Sequence, residues 1–147
     1  MKPTFLPFVT ASLLVLASHA MPAAAEESSS VPTIQLKYGP TGVTDNVHGE
    51  VRAAAAYGDL AHGAHGTFLK MPGRFASPVH SHTSDEWGVI VAGVAANGKP
   101  GAEDVLLPAG SYFFQKAGEL HVTKCVSENE CIIFLSQPGK YDFVPPK

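Results

Sequence analysis

Short apolar runs separated by glycine and proline constrain the fold of this chain more than any other feature. Gly66–Met71, Trp87–Ala92 and Cys131–Ser136 are rich in β-branched and aromatic residues, as strands are. Turn signals stand between such runs, at Pro72-Gly73, Asn97-Gly98, Pro108-Ala109-Gly110 and Pro138-Gly139. The Pro-Gly pairs have the signature of a type II turn, with proline at its second position and glycine at its third. This pattern predicts many short strands joined by tight turns.

The same apolar runs and turn signals predict eight or nine strands and no helix. Glu50–Tyr57 leans toward extended chain, although its alanines favour a helix, and Gly39–Gly49 is expected to be a loop. The other predicted strands are an edge strand at Thr33–Tyr38, then Gly66–Met71, a strand from Phe75 that carries His80 and His82, Trp87–Ala92, Val105–Leu107, Ser111–Phe114, Glu119–Cys125, Cys131–Ser136 and Tyr141–Val144. A spacing of about 8–12 residues between strands indicates an all-β sandwich or barrel. With 147 residues, the chain is expected to form a single domain.

The N-terminal segment has the features of a secretory signal peptide. Lys2 gives a short positive region, Phe5–Leu16 is almost entirely apolar, and Ala23-Ala24-Ala25 offers a small-residue cleavage site. The alternative, a membrane anchor, needs a longer and less interrupted apolar run. We therefore expect cleavage after Ala25 and a periplasmic or secreted protein without a membrane span. The predicted organisation is a signal peptide at 1–25, a lead-in with an edge strand at 26–50 and a barrel at 51–147.

Two cysteines, Cys125 and Cys131, are the only ones in the chain. In an oxidising compartment, two cysteines this close in sequence are expected to form a disulfide rather than to bind a metal ion. Their spacing suits the two arms of a hairpin whose ends face each other. A pair of free thiols is the alternative.

Net charge and motif content exclude several classes of function. The formal net charge is −3, and no cluster of Lys or Arg is present, which argues against a nucleic-acid partner. The sequence contains no G-x-S-x-G, no P-loop and no G-x-G-x-x-G motif. A nucleic-acid partner and the chemistries of these motifs are therefore set aside.

Three histidines and one glutamate form the strongest chemical signal in the sequence. His80 and His82 lie two residues apart, so both project from the same face of a strand. Glu86 follows on the next predicted strand and His121 on a third, and all four meet at one centre if these faces point inward. Imidazole and carboxylate ligands suit Fe, Mn, Ni, Cu or Zn and leave coordination positions for water or substrate. Two alternatives stay open: Asp85 replaces Glu86 as ligand, or the histidines form hydrogen bonds without an ion.

These residues also resemble the two motifs of the cupin superfamily. The first motif is similar to the series Gly73, His80-Ser81-His82, Glu86 and Gly93, although Gly73 lies one residue further away than the pattern has it. The second motif, P-x-G-x-x-H, resembles Lys116–His121, with Lys in place of Pro and with Cys125 where the motif has Asn. The resemblance covers roughly residues 58–144 and is similar to small single-domain cupins such as the cupin half of the anti-sigma factor ChrR.

The resemblance implies a jelly-roll barrel with a divalent metal ion held by His80, His82, Glu86 and His121. Cupins with such ligands include metal-dependent dioxygenases and isomerases of small oxygenated molecules, in which Glu86 would serve as both ligand and catalytic base. The ChrR-like resemblance implies an alternative, a non-catalytic binding or sensing module with a structural metal, often zinc. A cupin that has lost its ion is the third possibility.

Several other side chains have a simpler interpretation. His48, His62 and His65 precede the first motif in glycine-rich chain and are expected to be solvated loop residues. The aromatic residues of Tyr112–Phe114 are expected in the core rather than at a substrate platform. Trp87, Val89 and Val91 alternate with Glu86 and therefore lie outside the barrel cavity. Either the N-terminal strand or a second subunit would cover them, and a homodimer is the prediction.

Overall fold

A computed structural model describes residues 27–147, and the predicted signal peptide at 1–25 lies outside the described residues. A short 3-10 helix, Thr33–Gln35, comes first, and the described part contains no α-helix. No helix in this part is both long and apolar enough to cross a membrane. Nine strands follow: β1 (Gly39–Thr44), β2 (Glu50–Gly58), β3 (His65–Met71), β4 (Glu86–Ala92), β5 (Val94–Gly98), β6 (Leu107–Pro108), β7 (Tyr112–Gln115), β8 (Val122–Cys125) and β9 (Cys131–Gln137).

The strands form two antiparallel sheets. The larger sheet has the order β1-β2-β3-β9-β4-β7, and the smaller has the order β6-β5-β8. The all-β, single-domain prediction is confirmed. Most of the predicted strands are also present, because their apolar runs fit the period-2 alternation of a half-buried sheet.

Alternation along the central strands decides which side chains enter the barrel. On β4, Glu86, Gly88 and Ile90 are buried while their neighbours are exposed. On β9 the buried positions run from Cys131 to Gln137 at every second residue. Inward-facing side chains of both sheets, together with Phe75 from the segment between β3 and β4, build one core: Val51, Leu69, Met71, Phe75, Ile90, Ala95, Phe113, Cys125, Cys131, Ile133 and Leu135.

The N-terminal predictions are wrong at two places. Thr33–Tyr38 is not an edge strand, because Thr33–Gln35 forms the 3-10 helix and Ile34 is almost fully exposed. The edge strand is instead β1, which lies within Gly39–Gly49, the segment predicted to be a loop, and pairs with β2. An alternating sequence becomes a strand only where a sheet edge and an apolar surface are available to it.

Two further strand predictions are wrong because these segments pair through single bridges. The segment from Phe75 to His82 contains only isolated bridges, at Ala76, His80 and Ser81. Pro78 lacks the N–H that a continuous ladder needs. Tyr141–Val144 likewise has a single bridge, between Val144 and Ser81. Both segments are therefore irregular, and they lie side by side.

Two of the predicted turns are displaced. Asn97-Gly98 ends β5 rather than forming a turn, because the Asn97 side chain bonds to Gln115 and Thr123 across the sheets. The Pro72-Gly73 turn is shifted by one residue. Phe75 N donates to Pro72 O at 3.3 Å, and Arg74 has the positive φ of 60°. Gly73 is still required, since a Cβ there would overlap the carbonyl oxygen of Glu128.

Cys125 and Cys131 form the predicted disulfide, with 5.6 Å between their Cα atoms. The bond joins the end of β8, in the small sheet, to the start of β9, in the large sheet. Both cysteines are buried. Gly93 packs against this bridge with a φ of +80°, and a Cβ there would lie 2.8 Å from the sulfur of Cys131. The glycine of the first motif is thus required by the close approach of the disulfide.

Replacing both cysteines with alanine is expected to lower the free energy of unfolding by about 2–3 kcal/mol, because the unfolded chain regains the entropy of a short loop. Chemical denaturation of the oxidised wild type and of the double variant measures this difference. Reduction of the wild type gives the matched control and should reproduce the loss. Equal stability of the oxidised wild type and the variant would contradict the prediction.

Candidate metal centre

A pair of backbone hydrogen bonds brings two of the predicted ligands together. His80 N donates to His121 O at 3.1 Å, and His121 N donates to His80 O at 2.8 Å. The two imidazole rings lie on the same side of this bridge, with centroids 4.2 Å apart. The ring of His82 completes the group at 4.9 Å from His80 and 5.1 Å from His121. One ring nitrogen from each histidine lies within 4.8 Å of the other two.

Each histidine is oriented by a backbone carbonyl at its Nδ1 atom. The Nδ1 atom of His80 lies 2.9 Å from Pro78 O, that of His82 lies 2.6 Å from Asp142 O, and that of His121 lies 3.2 Å from Glu119 O. A carbonyl oxygen can only accept, so each Nδ1 carries the proton. The lone pair of each imidazole is therefore on Nε2, as in histidines that bind metals through Nε2.

Within the described part of the chain, two of the atoms that face the centre of this group lack a hydrogen-bond partner. His121 Nε2 and Glu86 Oε2 are buried without any hydrogen-bond partner, and His82 Nε2 lies 3.6 Å from Glu86 Oε2. Converging lone pairs beside a carboxylate oxygen repel one another unless a cation or a proton lies among them. The donor set, three imidazoles and one carboxylate, fits a divalent transition metal.

Burial keeps the three imidazoles neutral. It lowers the pKa of His80 to about 3 and that of His121 to about 4, and it also lowers the pKa of His82. The neighbouring histidines lower the pKa of His80 and His121 further. Burial also raises the pKa of Glu86, to about 8. Neutral imidazoles at neutral pH are ready to donate to a metal without first losing a proton.

Glu86, and not Asp85, faces the histidines. Glu86 is 3% exposed and reaches His82, but it does not belong to the group of three whose ligand atoms all lie within 4.8 Å. The Asp85 carboxylate points elsewhere and accepts a hydrogen bond from Ala117 N at 2.8 Å. Of the two acidic side chains, only Glu86 is placed to join the histidines.

A small cavity of about 40 Å³ lies beside the histidines. His80, His82 and Glu86 form part of its wall. The remaining lining is mostly apolar: Val43, Val51, Leu69, Met71, Phe75, Ser77, Phe113, Thr123, Ile133, Leu135, Tyr141 and Phe143. An apolar cavity with a few convergent polar groups can orient one small oxygenated molecule.

A C-terminal strap, residues 141–144, contacts the site from outside the sheets. The Phe143 ring stacks on His80 at 4.1 Å, and the carbonyl of Asp142 orients His82. The Asp142 carboxylate accepts from Thr83 N at 3.1 Å and from Thr83 Oγ1 at 2.6 Å. Sequence reasoning missed this role, because the separation of 60 positions between His82 and Asp142 leaves no local spacing signal.

Asp142→Ala keeps the backbone carbonyl that holds His82 but removes the carboxylate bonds that anchor the strap to Thr83. Loosening this outer-shell contact is expected to weaken metal binding by up to about tenfold. Competition with a chromophoric chelator measures the affinity. Thr83→Val, which removes one of the two bonds, should give a smaller change in the same direction. Asp104→Ala removes an exposed ion pair with Lys124 and serves as the control. Equal affinities in Asp142→Ala and Asp104→Ala would show that the strap does not position His82.

Two predictions about surrounding residues are wrong. His65, predicted to be a solvated loop residue, lies on β3 and is fully buried. Its alternation with Leu69 and Met71 is the signal that could have revealed this. Within Tyr112–Phe114 only Phe113 is in the core, where its ring fills the space above Gly88, and the other two aromatic side chains are exposed.

Comparison with known proteins places the chain in a family. The family model described as "Domain of unknown function (DUF4437)" matches residues 41–147. The chain belongs to the DUF4437 family. No curated protein sequence matches it significantly. The described strands and both histidine segments fall within the matched region, except for the first residues of β1.

Solved structures show that this DUF4437 chain has the cupin fold. An RmlC-like cupin protein from Ralstonia eutropha is 20% identical, with a TM-score of 0.59 over 77% of this chain and 69% of that one. The polyketide cyclase RemF from Streptomyces resistomycificus is 13% identical, with a TM-score of 0.63 over 82% and 87%. The Rhodobacter sphaeroides complex of SigE with the anti-sigma ChrR gives 19% identity and a TM-score of 0.54 over 72% and 51%. The predicted resemblance to cupins, including ChrR, is confirmed.

Proposed function

We propose that this chain is a metal-dependent cupin enzyme that binds a divalent ion through His80, His82, His121 and Glu86 and acts on a small oxygenated molecule. One observation carries the proposal. Three buried imidazoles are fixed by their Nδ1 atoms, so that their Nε2 lone pairs converge beside a carboxylate. Such a donor set suits Fe, Mn, Ni, Cu or Zn.

The bound ion would supply Lewis-acid polarisation of a substrate oxygen or, for a redox-active metal, oxygen chemistry. The chain supplies the geometry and the dry pocket. Glu86 is positioned both to complete the ligand set and to take a proton from a substrate carbon or oxygen, as a catalytic base. Apolar walls exclude bulk water, and Phe143 fixes the ring of His80 by stacking.

Loading the protein in turn with each of these five metals tests the proposal. β-Diketones, flavonols and hydroxyketones are then offered with and without O₂, and product formation and O₂ uptake are followed. We expect turnover with at least one metal, and its loss when Glu86 is replaced with Gln. The absence of turnover with every metal and substrate, in protein shown to contain the metal, would contradict the enzymatic proposal.

A second candidate is a non-catalytic binding or sensing cupin with a structural metal. The observation that favours it is enclosure: His80, His82 and His121 are each no more than 4% exposed, and the strap contacts His80 and His82. A structural zinc ion needs no open coordination position. Zinc that stays bound, combined with ligand binding and no turnover, would support this candidate over the enzyme.

We further propose that the outer face of the larger sheet forms a homodimer. Trp87, Val89 and Val91 are 43–48% exposed, and no part of the described chain covers them as an N-terminal strand would. Tyr112 and Phe114 extend the same face on the neighbouring strand β7. Light scattering should give twice the mass of one chain, and Trp87→Glu should halve it. A monomer at high concentration would contradict the dimer.

Export is part of the same proposal. The disulfide is compatible with an oxidising compartment, because cytosolic thiols are kept reduced. The predicted signal peptide at 1–25 accounts for delivery to the periplasm or the medium. Mass spectrometry of protein recovered from the periplasm should find a chain that begins at Glu26, and an intact N-terminus in the cytoplasm would contradict export.

A further inference from the structure

A turn of the chain, Lys116–Glu119, lies between the buried side chain of Gln115 and the candidate ligand His121. Glu119 N donates to Lys116 O at 3.2 Å and closes the turn. Three of its four residues are exposed to solvent. Because apolar packing does not hold an exposed turn in place, its hydrogen bonds decide where its carbonyl groups lie.

The last carbonyl group of this turn orients His121. Glu119 O accepts a hydrogen bond from His121 Nδ1 at 3.2 Å, which leaves Nε2 of the ring for the ion. Gln115 Nε2 donates to the same oxygen, also at 3.2 Å, and to Lys116 O at 3.3 Å. A carbonyl oxygen has two lone pairs, so both donors can bind it at once. The Gln115 amide therefore spans the turn from its first carbonyl to its last.

The amide of Gln115 is itself held in one orientation by the smaller sheet. Asn97 Nδ2 donates to Gln115 Oε1 at 3.0 Å, and Asn97 Oδ1 accepts from Thr123 Oγ1 at 2.8 Å. If the Gln115 amide were reversed, its nitrogen would face the donor of Asn97 and its oxygen would face two carbonyl oxygens. The hydrogen bonds thus run in one direction, from Thr123 through both amides to the turn.

Two residues that follow the first histidine of the site bind the middle of the same turn. Ala117 N donates to the Asp85 carboxylate at 2.8 Å, and Gly118 N donates to His82 O at 2.9 Å. Both bonds engage N–H groups of the turn, so neither holds the carbonyl group that orients His121. The position of that carbonyl group depends on Gln115.

We propose that Gln115 is a positioning residue for the metal centre: its amide clamps the Lys116–Glu119 turn, so that Glu119 O holds His121 ready to bind the ion. This inference rests on the proposed function, which gives His121 an ion to bind. Gln115 does not line the cavity, so it acts through His121 and does not touch the substrate. Groups that orient a ligating histidine in this way change metal affinity by about 10–100-fold.

Proton NMR of cobalt-loaded protein tests the clamp, because paramagnetic Co(II) shifts the resonances of its ligands away from the rest of the spectrum. We expect three shifted signals that disappear in D₂O, one from the Nδ1–H group of each histidine. Gln115→Met keeps the length of the side chain and removes its hydrogen bonds. In this variant only one of the three signals should move and exchange faster with solvent, and the affinity for cobalt should fall about tenfold.

Two further variants complete the experiment. Gln35→Met makes the same change at an exposed position of the 3-10 helix, and it should leave the three signals and the affinity unchanged. Asn97→Leu removes the group that orients the Gln115 amide and should move the same signal as Gln115→Met. It gives the same test if Gln115→Met does not fold.

Unchanged signals and affinity in Gln115→Met and Asn97→Leu would overturn the proposal. Equal displacement of all three signals would overturn it as well, since Gln115 would then support the fold in general rather than one ligand. A cobalt titration of the wild type separates the two levels: without cobalt binding, the proposed metal centre fails and the clamp falls with it. With cobalt bound and no selective change of one signal, only the clamp fails.

Discussion

Replacing His121 with alanine should weaken metal binding by more than 100-fold. Outer-shell changes already cost about 10–100-fold, and this change removes a direct ligand. His121 also forms the backbone bridge to His80, but that bridge involves main-chain atoms and survives the substitution. Competition with chromophoric chelators measures the affinity, with circular dichroism as the test of folding.

Two further variants separate coordination from packing. In His121→Asn the side-chain amide can still donate to Glu119 O, as Nδ1 does, but no atom replaces Nε2. In His121→Gln the longer side chain can bring an oxygen near the position of Nε2. We expect Asn to match Ala and Gln to retain more affinity. His62→Ala is the control, because this histidine is exposed and paired with Asp59. If His121→Ala and His62→Ala bind metal equally well, His121 is not a ligand.

Removing the metal should lower the melting temperature of the wild type by about 15 °C. An ion present at about 1,000 times its dissociation constant stabilises the folded state by about 4 kcal/mol, and each kcal/mol is worth roughly 4 °C in a domain of this size. Differential scanning calorimetry of loaded protein, with and without a chelator, measures the shift. Chelation leaves the disulfide intact, so the change reports the ion alone.

The control for this experiment is the double variant His80→Ala/His121→Ala, whose melting temperature should not respond to the chelator. The wild type without metal and the variant need not melt at the same temperature, because two buried side chains are lost. The quantity to compare is the response to chelation. If the loaded wild type melts at the same temperature with and without chelator, the ion does not stabilise the folded domain.

The sequence was sufficient to predict the strands that carry continuous apolar runs. β4 and β9 coincide with their predicted ranges to within one residue, because β-branched side chains at alternating positions leave few other ways to bury them. The convergence of His80, His82 and Glu86 with His121 was accessible from parity and from the resemblance to cupins. The short spacings within the two motifs and the period-2 alternation along a strand involve residues close in sequence, so they can be read from a single sequence.

The remaining features depend on contacts between distant segments. The segment before His80 does not form a regular strand, since Pro78 interrupts it, and the bridge to His121 takes the place of a ladder. The C-terminal strap contacts His82 through Asp142, and no motif connects two residues so far apart. The burial of His65 follows from the register of β3 against β9, which appears only when the sheet is assembled.

Elemental analysis of the folded protein, recovered from the periplasm without added metal, tests the metal centre most directly. The arrangement of His80, His82 and His121 predicts one divalent transition-metal ion per chain, and none in His80→Ala/His121→Ala prepared in the same way. A wild-type protein that contains no more metal than this variant, even after incubation with each candidate ion, would contradict the centre.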